Sequence, residues 1–313
     1  MLCYLRLLHS GESRRASLGI IVSAVAWGLW WIPVRWLAHA GLQGDLVSVF
    51  VYLPGAAMLA PFALRRWREM ARSPGALIGI GVPMGAALAM TNTALLHGQV
   101  VRVLLLFYLA PVWATLLNIV VLREPLTVGR ALAVIAGLVG AAMVLGGPRT
   151  LPLPVSLGDW MGLLAGISFA LGSLAIRRTG ASHGVAGDPV VQMFSGFMFA
   201  ALVAVGFRYL IADTGPVSSA REWAALPVAC SLALLWLIPQ MWLYAWGAAR
   251  LDPGRVSILM LVEPMVAVIS AGLLLSEPLS GRELLGCVLI LSAAVLDLAT
   301  PLQRPFGKAI QSM

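Results

Sequence analysis

A single carboxylate, Glu263, stands in the first half of an otherwise apolar stretch, directly before Pro264. An ionised carboxyl near the middle of a bilayer costs on the order of 2.5–3.5 kcal/mol on insertion scales, so such a group normally faces a wet cavity. There it could hold a substrate amine or exchange a proton. The competing reading is a protonated or hydrogen-bonded carboxyl that caps backbone freed by the proline. Trp236, Gln240 and Tyr244 follow one another at four-residue spacing and so share one face of a helix. An aromatic and amide lining of that kind suits an amphiphilic organic solute, through stacking and cation–π contact. Trp27 and Trp31 are expected to line the same cavity while Trp30 turns to lipid, with Asn92 and Tyr108 adding polar groups. Tyrosine and tryptophan also favour membrane interfaces, which would place them with no part in binding.

These residues sit on a sequence that repeats itself. Arg102–Pro125 reads RVLLLFYLAPVWATLLNIVVLREP, and Arg255–Pro278 reads RVSILMLVEPMVAVISAGLLLSEP. A shift of 153 residues lays Arg102 on Arg255, Pro111 on Pro264, Glu124 on Glu277 and Pro125 on Pro278. Ala110 occupies the position of Glu263 in the first copy. Pro111 and Pro264 each remove a backbone hydrogen bond inside an apolar segment. Their matched positions favour hinges beside a cavity over static kinks. Arg102, Arg255 and the two Glu-Pro pairs are read as helix-end features, architectural or gating. Glycines four apart (Gly75-Gly79, Gly81-Gly85, Gly162-Gly166) permit close helix contact. An internal repeat in a membrane protein marks a secondary transporter whose substrate site lies where the halves meet.

Composition supports the membrane assignment. Of 313 residues, 60% are hydrophobic and 11% charged, and the mean hydropathy is +0.92. Soluble domains carry about a quarter charged residues. Ten apolar stretches run near 18–37, 46–64, 75–95, 101–122, 130–147, 157–176, 190–210, 224–247, 256–276 and 282–300. They predict an all-α polytopic protein: segment 1–17, a five-helix repeat over 18–147, a linker 148–156, a second repeat over 157–300 and a tail 301–313. The net charge of +8 sits at helix ends rather than on a face, so no nucleic-acid partner is expected. Placing both termini in the cytoplasm puts most Lys and Arg inside, as the positive-inside rule requires. With five spans per half, the repeats must then run in opposite senses across the bilayer.

At these residues the chain resembles the drug/metabolite transporter superfamily, in particular its EamA-type members with ten spans. The resemblance is carried by Trp27-Gly28, by Pro111 and Pro264, and by the Glu-Pro pairs. It covers nearly everything from residue 18 to 300. It implies an inner-membrane carrier, with a central cavity between spans one, three, four, six, eight and nine, and with spans five and ten at the periphery. The second half departs from the pattern at Phe169-Ala170, where the first has Trp27-Gly28.

The expectation is an alternating-access exporter of a small amphiphilic metabolite such as an amino acid or amine, with protons as a candidate coupling ion. A multidrug or organic-cation exporter is the alternative, and a passive channel or lipid scramblase the rival from another class. An intramembrane enzyme would need converging nucleophile, base or metal ligands, and none are clustered. No Gly-rich Lys-Ser/Thr nucleotide loop occurs, and no cofactor or metal is expected. Ten spans already contain both halves, so a monomer suffices, and a homodimer stays open.

Overall fold

The structure, a computed structural model, describes residues 2–42, 46–123, 128–145, 154–178, 188–210, 220–251, 256, 259–275 and 280–299. Glu124, Pro125, Arg255, Glu277 and Pro278 lie outside them. Among the described residues the chain is helical, with no strand. Seven helices are long and apolar enough to cross a bilayer, from Glu12–His39 to Glu222–Ala248, and shorter apolar helices lie at Ala131–Met143 and Val262–Leu275. The final helix runs Gly281–Ala299. The protein is a polytopic all-α membrane protein.

Among the described residues, four spans break or widen shortly before a proline. Span one breaks at Leu29-Trp30 between helices Leu2–Gly28 and Trp31–His39, which contains Pro33. Span four breaks at Tyr108-Leu109 between Val100–Phe107 and Ala110–Leu122, where Pro111 enters in the first turn. Span nine has its turn at Leu261, followed by Val262–Leu275 with Pro264 in its first turn. Span eight widens into a π-turn, Ala233–Leu237, before Ile238–Ala248 with Pro239. Proline suits the first turn of a helix, whose amide donors have no partner there, and cannot continue the preceding ladder. Proline alone does not break a span here: Pro83 sits inside the continuous helix Pro74–His97.

The packing shows the two-fold relation of the halves. Span three lies along span six, and span eight along span one. Span four packs on span six, and span nine on span one. Two, four and five pack on their own counterparts seven, nine and ten. Exchanging each of the first five helices with its counterpart five later reproduces this scheme. Because each half contributes an odd number of crossings, the axis relating them lies in the membrane plane.

Small residues let the spans approach, as their spacing led one to expect at two of three pairs. A Cβ at Gly85 would lie 2.6 Å from the Ala200 nitrogen, and at Gly162 and Gly166 within 2.9 Å of the Val103 and Phe107 carbonyl oxygens. Gly75 and Gly79 have nothing within 4 Å.

The helix ends at one side of the bundle are pinned by charge. Arg102 pairs with Asp159 at 2.9 Å, joining spans four and six. Asp159 also accepts from the backbone amides of Val155 and Ser156, while the Ser156 hydroxyl accepts from the Asp159 amide. This reciprocal arrangement caps span six. Arg35 donates to the carbonyls of Leu95 and Gly98 at 3.0 and 2.7 Å. It satisfies backbone acceptors that the end of span three leaves without intrahelical donors. At the opposite side Arg250 reaches Glu12 at 3.1 Å, an exposed pair.

Removing one partner of a buried pair strands the other charge. Asp159→Ala is therefore expected to cost about 3 kcal/mol and to lower the melting temperature by about 10 °C. Glu12→Ala, in the exposed pair, should shift the melting temperature hardly at all. Thermal unfolding in detergent, followed by tryptophan fluorescence, checks both.

Candidate substrate-binding site

The interruptions of spans four and nine face one another across the bundle. Tyr108 caps the C-terminus of Val100–Phe107, its amide still bonded to the Leu104 carbonyl, so its side chain issues at the break itself. Glu263 is the second residue of Val262–Leu275. The Tyr108 hydroxyl donates to Glu263 Oε1 at 3.0 Å. The partial positive charge of a helix N-terminus favours a carboxylate there. Glu263 and Tyr108 are both half-buried, neither sealed in the core nor on the surface. Tyr244, on span eight, is 41% exposed.

Span one closes this site from the side. A Cβ at Gly28 would lie 2.7 Å from the Glu263 carbonyl oxygen and 2.9 Å from Val266 Cβ. The Trp27-Gly28 pair is thus explained: the glycine lets the break in span one rest on that in span nine. Beside it the Trp31 indole donates to Ser270 Oγ at 3.0 Å, and the Trp236 indole to the Ala26 carbonyl at 3.2 Å.

Trp30 corrects the expectation that it meets lipid. It is 2% exposed, stacks edge-on against Trp27 at 6.2 Å, and donates to Asn92 Oδ1 at 3.0 Å. The break at Leu29-Trp30 shifts the angular phase of the helix, so four-residue spacing across it does not give one face. Trp31 is buried as well, held between spans one and nine, whereas Trp27 is half-buried.

The sequence-derived residues therefore divide. Glu263 and Tyr108 meet, Trp27 stands on span one and Trp236 and Tyr244 on span eight, and Pro111 and Pro264 begin the helices that frame the contact. Asn92 belongs to a contact between spans one and three. Gln240 is buried on span eight. Arg102 is the ion-pair partner of Asp159. Sequence reasoning missed Asp159 and Ser270. The Ser156-x-x-Asp159 capping box ahead of an apolar run was a readable signal for the first; no local pattern marks the second. Among the described residues no group of three His, Cys, Asp or Glu side chains is placed to hold a metal.

What this arrangement offers chemically is one carboxylate able to pair with a cation or take up a proton, beside a phenol and indoles. Tyr108→Phe removes the hydroxyl donor while keeping the ring. The expected outcome is an unchanged fold with altered affinity of the Glu263 site for cations, measured as a displaced pH dependence of ligand-induced thermal stabilisation. An identical profile in the variant would show that the hydroxyl has no part in the site. Gly28→Leu should separate spans one and nine, and should lower the melting temperature sharply.

Comparison with known proteins places this arrangement. The sequence model of the EamA-like transporter family matches residues 14–146 and again 156–298. An uncharacterized transporter of Archaeoglobus fulgidus is 24% identical over 295 residues, covering 94% of this chain and 98% of that one. A crystal structure of a protein at 18% identity superposes with a TM-score of 0.53, covering 90% of this chain and 96% of that chain. It shares the fold.

Proposed function

The chain belongs to the EamA-like transporter family, and on that premise we propose that it is an alternating-access carrier that exports a small amphiphilic solute bearing an amine, with Glu263 as the group that binds the ammonium and exchanges protons. The observation that carries this reading is the Tyr108–Glu263 contact at 3.0 Å, made where two broken spans from opposite halves meet. Broken helices at bundle depth are tolerated only where protein or a wet cavity covers the freed backbone, and they recur at the solute sites of carriers. A carboxylate there is costly unless it acts.

One carboxylate can serve solute and proton in turn. Ionised Glu263 attracts an ammonium, while its protonation abolishes that attraction and releases the solute. A carrier that crosses only with Glu263 occupied, by one or the other, exchanges outgoing solute for incoming protons. The positive-inside pattern supports a cell-membrane location with both termini cytoplasmic.

The seams between the halves support a two-faced carrier. Spans three and six are packed from Gly98-Gly158, through Met84-Gly172, to the cluster of Ile80 with Ala175 and Ile176. The related seam of spans one and eight is closed where Gly247 meets Ala16 and Ile20. Toward its other end span eight leans on span two, with Trp223 against Phe50 at 5.7 Å. Span one there is tied to span three by Trp30 and Arg35. This divergence supports a form that opens at that end, the outer side in the orientation above, and is closed at the other.

The test is transport in proteoliposomes under an imposed pH gradient, with a candidate amine as solute. Glu263→Gln keeps the shape of the side chain and removes the titration. Gradient-driven accumulation should fall by about thirtyfold or more, the loss expected when one partner of a desolvated charge pair is removed. Accumulation equal to that of the wild type would remove Glu263 from the coupling role.

A further inference from the structure

Gln240 is buried chemistry that the site above does not use. It is 2% exposed, yet neither its amide oxygen nor its amide nitrogen has a hydrogen-bond partner. Across the seam of spans one and eight, Ser23 is 0% exposed and its hydroxyl is equally unpaired. The flanking contacts set the register. On one side Trp236 donates to the Ala26 carbonyl. On the other a Cβ at Gly19 would stand 3.7 Å from the Leu243 carbonyl oxygen. Ser23 and Gln240 fall between these points, at one level of an antiparallel pair.

The first half shows what such an amide does when it has a purely internal task. Asn92 lies about two turns before Gly98, which closes the three–six seam on Gly158; Gln240 lies about two turns before Gly247, which closes the one–eight seam on Ala16. The two amides therefore occupy related levels. Asn92 accepts from the Trp30 indole at 3.0 Å through its oxygen, while its amide nitrogen has no hydrogen-bond partner; Gln240 is unpaired at both atoms. Laying Trp27-Gly28 on Phe169-Ala170 puts Gly172 at the place of Trp30, so the second half offers no indole to Gln240.

A buried amide with nothing to bond is destabilising, and a position that only had to fill space would be met better by an apolar side chain. Gln240 also follows Trp236 on span eight, and the Trp236 indole rests on the Ala26 carbonyl, two residues before the Gly28 that packs on the Glu263 carbonyl. We infer that Gln240, assisted by Ser23, is a second anchor for the solute: it takes a hydrogen-bond-accepting group, a carboxamide or carboxylate, of a molecule whose ammonium is held by Glu263. This rests on the assignment of Glu263 made above. It adds a class of solute, one carrying both an ammonium and an acceptor, over a simple lipophilic amine. The anchor lies in the seam whose two spans diverge toward one end, so it becomes reachable as they part.

Thermal-shift titrations of the purified full chain with two probes test the idea. Phenylalaninamide and phenethylamine share an aromatic ring and an ammonium, and only the first has a carboxamide. Wild-type protein should bind phenylalaninamide about tenfold more tightly, the equivalent of one or two neutral hydrogen bonds. Gln240→Met should erase that preference, bringing phenylalaninamide to the level of phenethylamine, and Ser23→Ala should reduce it. Free of ligand, Gln240→Met should melt at or above the wild-type temperature, because an unpaired amide gives way to a thioether of similar size. Equal binding of both probes by the wild type, or a preference that survives both substitutions, overturns the anchor and leaves the Glu263 assignment standing. Phenethylamine binding that survives Glu263→Gln sinks that assignment instead, and a wild type that binds neither probe sinks both.

Discussion

In hydrocarbon a peptide carbonyl or amide without a partner costs several kcal/mol, so a spanning helix can be interrupted only where other protein or cavity water covers the gap. This constraint organises the molecule. Among the described residues, four interruptions stand ahead of a proline: Pro33, Pro111, Pro239 and Pro264. The chain supplies the cover locally. Gly28 lets span one rest on the Glu263 carbonyl, and Gly166 lets span six rest on the Phe107 carbonyl, the acceptor that Pro111 deprives of its helical donor. Glycine is required at both places because any Cβ would collide with the backbone it covers.

The repeat builds the frame, and departures from it supply the chemistry. Related positions hold Pro111 and Pro264 in both halves, and both spans break just before them. Glu263, however, answers to Ala110, and Tyr108 to Leu261. The hydrogen bond between Tyr108 and Glu263 thus joins two residues that the repeat does not duplicate, across an interface that it does. Trp30 against Gly172 is a third such departure. Under the alternating access proposed above, equivalent frames serve the exchange of conformations between the halves, and unequal contacts serve an asymmetric solute.

Much of this was legible beforehand. Apolar stretches of spanning length, the punctuation shared by Arg102–Pro125 and Arg255–Pro278, and the lone carboxylate before Pro264 led to an all-α polytopic bundle and to Glu263. Side-chain partnerships were less legible. Trp30 was assigned to lipid because helical phase was carried across a break the spacing did not reveal. Nothing near Arg35 in the chain marks its acceptors, which are backbone carbonyls of span three about 60 residues away in sequence. Asp159 was passed over, though its capping serine stands three residues before it, because an acidic residue at a helix start needs no further partner, and Arg102 becomes its partner only through packing.

By itself the amino-acid order determined which segments enter the bilayer, that two related halves exist, and that they must oppose each other in direction. These follow from local quantities: transfer free energy summed over about twenty residues, charge at connectors, and an odd number of crossings. Tertiary structure alone decided which polar groups meet. It set the Tyr108 hydroxyl on Glu263, the Trp30 indole on Asn92 and Arg102 on Asp159, and it left Gln240 and Ser23 at one level of a seam with neither satisfied. Those outcomes depend on helix register and on where a broken helix resumes, which packing fixes between residues far apart in the chain, and no local pattern encodes them.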